Sequence, residues 1–308
     1  MKKRDLNAKF EFDPRFIVKV ENLNDVIYGD TDSMFVYLTD FLTDLKIPVK
    51  KCPEVQDAID HVQDYINKEA LGYFSKLHHL NNKYSMIYLK NEFLFSKYYT
   101  LSGKKHYASH IISQEGKSID ELDIKGLEIK RSEIPMASRE LLSSILNIIM
   151  DDNIDKADIL PKIDKLVDEK RKEILKLIDE RDSSVVRTVN YGAPLSTYKK
   201  IPYHIHAMLM WNLLVNEDFR YGTRGKLWDV RGIDLNKAPE YVKKNYYEKF
   251  LKKYKSSDMN YICLPEEVDK LPDYFIVDTS KIVKYCCDDR VELLVEPLRK
   301  KVDQLLLW

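Results

Sequence analysis

The sequence predicts an α+β fold, a β-rich first part with one covering helix followed by a mainly helical second part. Three observations predict it. Residues 84–113 are rich in Tyr, Phe and Ile and break into short extended runs. Within residues 54–82, Val55, Ile59, Val62, Ile66, Leu71 and Phe74 recur at helical spacing. From Met136 onward the pattern lengthens into helices over 136–151 and 154–181. The second of these sets Ile163, Leu166, Val167, Ile174, Leu175 and Ile178 on one face and Lys, Asp and Glu on the other. The change of pattern divides the chain into residues 1–135 and residues 136–308.

The elements follow in order. Residues 1–25 are polar, with a candidate strand at Phe16–Val20. Val26, Ile27 and Tyr28, then Met34, Phe35, Val36 and Tyr37, flank Gly29-Asp30-Thr31-Asp32-Ser33 and read as a tight hairpin. The helix over 54–82 covers one face of the sheet. Strands are predicted at Tyr84–Leu89, Glu92–Thr100 and His106–Ser113, with a further extended stretch over 122–134. In the second part Ser183–Pro202 reads as loop, 203–216 as helix and 219–234 as a small irregular hairpin around its glycines. A Lys- and Tyr-rich helix over 238–254, a Pro-containing loop over 264–273 and helical turns complete the chain.

The 308 residues hold 50 Lys plus Arg and 50 Asp plus Glu, so the net charge is zero. No whole-chain basic excess announces nucleic acid, and contact with phosphates would rest on local clusters. The four cysteines form no CxxC pair, which suits a reducing compartment. No run of eighteen apolar residues occurs, and no apolar signal core follows Met1-Lys2-Lys3-Arg4. A cytoplasmic protein with no membrane partner is expected, in the cytoplasm of a host cell if it is viral. Nine glycines include no phosphate-binding loop.

Asp30 and Asp32 are the most informative pair. Two carboxylates at a hairpin tip are costly unless a cation joins them, and a divalent metal is the usual partner. An acidic surface turn is the plain alternative. Lys104-Lys105-His106-Tyr107 offers two ammonium groups and a phenol to phosphates and a sugar, or else a solvated turn with one buried aromatic. Lys125-Gly126-Leu127-Glu128 with Arg131 reads as a backbone-contacting stretch or as a charged strand with an internal ion pair. His204 and His206 lack nearby metal-ligand partners and read as packed or solvated. A face carrying Lys199, Lys200, Lys243, Lys244, Lys249, Lys252 and Lys253 among tyrosines can follow a duplex backbone or simply be solvated.

Tyr28-Gly29-Asp30-Thr31-Asp32-Ser33 resembles the third polymerase motif of family B DNA polymerases. The elements that follow stand in that family's order. The resemblance implies that Asp30 and Asp32 are catalytic carboxylates and ligands of two Mg²⁺ ions. It implies that Lys104, Lys105 and Tyr107 hold the primer end. It implies that Lys125, Gly126 and Arg131 touch the duplex where palm meets thumb. Glu92 is matched to an acidic residue near the metals. The family often has Arg where His106 stands. Pro202-Tyr203-His204-Ile205 resembles the thumb of T-even-like phage replicative polymerases. The terminal Leu305, Leu306 and Trp308 resemble a sliding-clamp-binding tail, or pack on their own domain.

Other motifs of that family have no counterpart in these residues. The metal-binding Asp before Ser-Leu-Tyr-Pro, the nucleotide-holding helix and the exonuclease carboxylates are all absent. The resemblance therefore covers the C-terminal third of a polymerase, residues 1–135 being part of the palm and 136–308 the thumb. Two-metal phosphoryl transfer needs carboxylates from two strands around ions about 4 Å apart, and Asp30 with Asp32 supplies one side. The expected partners are primer-template DNA, dNTP and a separate N-terminal subunit carrying the missing motifs. A non-catalytic DNA- or clamp-binding remnant is the alternative.

Overall fold

The computed structural model describes residues 26–29, 33–39, 42, 46, 53–79, 88–101, 105–127, 129, 131, 133–151, 153–215, 219–255 and 259–299. They divide into two units, one ending at Gly126 and one beginning at Leu127. The candidate strand at Phe16–Val20 lies outside the described residues.

In the first unit, β1 (Val26–Gly29) pairs antiparallel with β2 (Met34–Val36), Gly29 opposite Met34. Helix α1 (Pro53–Tyr65) runs through a π segment (Ile66–Ala70) into α2 (Leu71–Leu77). A second sheet is a meander of β3 (Phe93–Thr100), β4 (Tyr107–Gln114) and β5 (Lys117–Lys125). The expected covering helix is present: Val55, Ala58 and Ile59 of α1 bury with Leu42, and Leu94 of β3 and Leu38 pack against them. Asn67 fixes the segment before β3 by bonding both the amide and the carbonyl of Leu89.

Two sequence expectations are corrected here. Tyr88 and Leu89 belong to no strand, and residues 84–87 of that segment lie outside the described residues. The third strand begins at Lys117 rather than near residue 122, and it ends at Lys125. The reason is a two-residue turn, Glu115-Gly116, between the paired residues Gln114 and Lys117. Both turn residues have positive φ, 49° and 79°, the geometry that matches strand twist in a tight hairpin. Glu in place of the usual Asn or Asp hides that turn from a reading of the sequence.

In the second unit, α3 (Met136–Met150) and α4 (Lys156–Asp179) match the predicted helices. Leu141, Ile145, Leu146 and Ile149 of α3 and Ile159, Ile163, Ile174 and Ile178 of α4 are buried. Leu175, assigned to the inner face, is exposed. This unit is built around a four-stranded antiparallel sheet that the sequence reading did not find. It comprises β6 (Arg187–Asn190), β7 (Arg224–Ile233), β8 (Tyr261–Pro265) and β9 (Phe275–Val277). β7 is central, paired with β6, β8 and β9 in turn.

The segment read as an irregular hairpin is therefore one ten-residue strand. Its middle, Leu227–Val230, is buried on both faces, which erases the alternation that marks a strand. Gly225 suggested a turn but serves close packing. A Cβ there would stand 2.5 Å from Cys263 Sγ and 2.7 Å from the Leu264 carbonyl oxygen. Trp228, fully buried on β7, anchors the core with Phe250 and Phe275.

Helix α5 (Tyr203–Val215) lies against β8. Then α6 (Glu240–Asn245), a π segment (Tyr246–Phe250) and α7 (Leu251–Tyr254) form the predicted Lys- and Tyr-rich helix. Finally α8 (Thr279–Val283), a π segment (Lys284–Asp288) and α9 (Asp289–Arg299) close the unit. The whole is a mixed α+β fold with antiparallel sheets. Among the described residues no helix is long and apolar enough to cross a membrane.

Candidate nucleotidyl-transfer and DNA-contact site

Strands β1 and β2 bracket the acidic motif, since Gly29 and Met34 are partners and Ser33 precedes β2. Asp30 and Asp32 themselves lie outside the described residues. What holds β2 is aromatic packing. The Phe35 ring meets Phe95, Tyr98 and Tyr107 edge-on at 5.2, 5.4 and 5.6 Å between centroids. Tyr98 and Tyr107 are themselves 5.1 Å apart. Edge-to-face pairs of this kind add about 1 kcal/mol each beyond area burial. The strand that leaves the acidic motif is thus fixed to the strand that opens with Tyr107.

The two basic elements expected to touch DNA come together within the first unit. Tyr107 pairs with Lys125 across β4 and β5. Lys105 has φ 63° and Gly126 φ 68°. A Cβ on Gly126 would stand 2.0 Å from the Lys105 carbonyl oxygen and 3.2 Å from the His106 ring. Glycine at 126 is required because the Lys105 backbone occupies the space a side chain would fill. Lys105 is exposed and Tyr107 half-buried. Lys125 is exposed and lies 3.4 Å from Asp123. Lys104 lies outside the described residues, and Arg131 is exposed in the second unit.

Glu92 is not brought to this cluster. Its carbonyl accepts a hydrogen bond from the Glu115 amide at 2.8 Å. That places it beside the β4–β5 turn, at the opposite end of β3 from Thr100 and its partner Tyr107, about 26 Å away along the strand. Nearby Lys90 binds Glu115 at 2.7 Å and lowers its carboxyl pKa by hydrogen bonding and charge.

Among the described residues no three His, Cys, Asp or Glu side chains gather as metal ligands. His204 is half-buried, and burial lowers its pKa. His206 meets Tyr254 at 6.5 Å. Cys263, Cys286 and Cys287 are buried and unbridged, and burial pushes the thiols of Cys286 and Cys287 up to about 11. On the Lys- and Tyr-rich helix, Lys244, Tyr247, Lys249, Lys252 and Lys253 are exposed, while Tyr246 packs inward on Phe250. Leu305, Leu306 and Trp308 lie outside the described residues.

The family model of divergent family B DNA polymerases matches residues 15–269, and the chain belongs to that family. Among solved structures the chain is similar to the family B DNA polymerase from the hyperthermophilic archaeon Pyrobaculum calidifontis. The TM-score is 0.51 at 16% identity, over 92% of this chain and 28% of that one. At that identity the likeness is one of fold, and the chain spans little more than a quarter of that polymerase. No curated protein matches it.

Proposed function

We propose that this chain is the C-terminal palm-and-thumb portion of a template-directed DNA polymerase. In this reading Asp30 and Asp32 are carboxylates of a two-metal site whose remaining ligands come from an N-terminal polymerase subunit. The observation that carries it is an Asp-Thr-Asp motif between paired strands in a chain of family B.

The reaction joins the primer 3′-oxygen to the α-phosphorus of a dNTP, breaks the bond to the β-phosphate and releases pyrophosphate. The donor set at residues 30 and 32 is all carboxylate, which suits Mg²⁺. Bound Mg²⁺ would acidify the primer hydroxyl and offset charge at the phosphorus. Asp30 and Asp32 would hold that charge at the primer end. Lys104, Lys105 and Tyr107 grip the terminal phosphates and sugar of the primer. Lys125 and Arg131 contact the duplex backbone, and Gly126 lets the first two elements touch. Positioning and charge supply nearly all the catalysis in phosphoryl transfer, so these residues have no covalent role. Leu305, Leu306 and Trp308 are proposed to engage a sliding clamp.

The test is primer extension with Mg²⁺ by this chain co-purified with a partner bearing the Ser-Leu-Tyr-Pro motif. Extension by the pair and by neither alone is expected. Asp30→Ala should reduce it to background while leaving DNA binding intact. Extension by this chain alone would sink the two-part site. A complex that forms and binds DNA but never extends it would favour a non-catalytic remnant.

A further inference from the structure

The meander sheet of the first unit carries a side-chain relay that nucleotidyl transfer does not use. Ser96 Oγ stands 2.8 Å from His110 Nδ1, and His110 Nε2 stands 2.6 Å from Asp120 Oδ1. The three residues come from three neighbouring strands, β3, β4 and β5. A carboxylate can only accept, so Nε2 carries the ring hydrogen and donates it to Asp120. Nδ1 of the neutral ring then accepts the hydroxyl hydrogen of Ser96.

Irregularities in the strand register bring these groups together. Phe95 pairs with Ile111 and Lys97 with His110, so Ser96 is an extra residue in β3. Ile111 pairs with Glu121 and Ser113 with Ser118, so Ile119 and Asp120 stand opposite the single residue Ile112. A bulge turns a side chain away from the direction that regular alternation would give it. Here a bulge on each side of β4 aims a side chain at the same imidazole. Ser96 and His110 are half-buried and the Asp120 side chain is 89% exposed, so solvent reaches the relay.

We propose that Ser96 is an activated nucleophile for acyl transfer from small activated esters, with His110 as its general base and Asp120 as a positioning residue. A hydroxyl bonded to an imidazole that is itself bonded to a carboxylate is the arrangement that activates serine on unrelated folds. Ser96 Oγ bonds to the ester carbonyl carbon while His110 Nδ1 takes its proton. The bond to the aryl oxygen breaks, and the proton passes to the departing phenol. Water then attacks the acyl group and gives a proton to Nδ1, which returns it to Oγ as the acid leaves. The three side chains offer no donor to an oxyanion, so the relay suits esters with a good leaving group rather than amides. It uses neither Asp30 nor Asp32, so it goes beyond the polymerase reading and does not depend on it.

The test mixes the full chain with p-nitrophenyl acetate, follows release of p-nitrophenol and maps the acetylated residues by mass spectrometry. A stoichiometric burst with the acetyl group on Ser96, then slower steady release, is expected. Ser96→Ala should abolish the burst, and His110→Gln should slow it by about a hundredfold. Asp120→Asn should slow it less, because water screens an exposed carboxylate, while Asp120→Glu keeps most of the rate. Acetylation confined to lysines, or a burst as fast in His110→Gln as in wild type, overturns the proposal. Should the variants fail to fold by circular dichroism, the wild-type chain decides: Ser96 must acetylate faster than the exposed Ser118 of the same sheet. Asp30→Ala run alongside separates the readings. It should show the normal burst, so loss of extension there leaves this site standing.

Discussion

Gly126 joins Lys125 to Lys105 through a contact that only a hydrogen side chain permits, at a backbone angle that L-residues avoid. Gly126→Ala is expected to cost about 2 kcal/mol or more, since the left-handed angle and a clash with rigid backbone add. A urea midpoint equal to wild type would show that the loop yields freely. Asp278 sets a pH dependence. Burial pushes its carboxyl up, but bonds from Arg231, Ser280 and the Lys281 amide outweigh burial and hold it well below the usual range. Its folded pKa is below the unfolded value, so its stabilisation is full above about pH 4 and is lost as pH falls through the folded pKa. Asp278→Asn should cost about 2 kcal/mol at neutral pH and flatten the acid limb of the stability curve. An acid limb identical in wild type and variant would refute this. Asp229 has the opposite sign: burial raises its pKa more than Arg187 lowers it, so its effect works against Asp278 as pH rises.

At the scale of elements, the acidic strand pair is only two strands wide and depends on Phe35 for its seat on β3 and β4. Phe35→Ala is expected to cost about 2 to 3 kcal/mol, the low end for a half-buried ring. It should also lower extension by the assembled polymerase more than it lowers oligonucleotide binding, because β2 leads directly from Asp32. Equal losses in both assays would mean general unfolding rather than displacement of the motif. Strand β7 behaves differently. It is central, bonded on both edges and buried on both faces, so its stability comes from neighbours distant in sequence.

At the scale of the molecule, the two units each own a buried core: Val55, Ala58 and Ile59 with Leu42 in the first, and Trp228, Phe250, Phe275 and the α3 and α4 isoleucines in the second. Residues 127–302 expressed alone are expected to unfold cooperatively in urea. A gradual, featureless transition would show that the second core needs the first unit. The family accounts for most of the chain's length, whereas the chain covers 28% of the archaeal polymerase it is similar to. The proposal of a metal site shared with a partner subunit is tested on the scale of the assembly, by primer extension with co-purified parts.

The sequence by itself determined the family, the long helices and the acidic motif, because each rests on local spacing: 3.6-residue periodicity in α1, α3 and α4, and a six-residue string around Asp30 and Asp32. It also singled out Lys104–Tyr107 and Lys125–Gly126 as the candidate DNA contacts. Only the tertiary structure decided that Lys105 and Gly126 touch, that Glu92 stands at the far end of its strand, and that residues 224–233 form one central strand. It alone joined Ser96, His110 and Asp120 across three strands. These are outcomes of pairing across long stretches of chain. A doubly buried strand loses its alternation, a glycine chosen for close approach looks like one chosen for a turn, and an ion pair between residues 231 and 278 leaves no trace in local spacing.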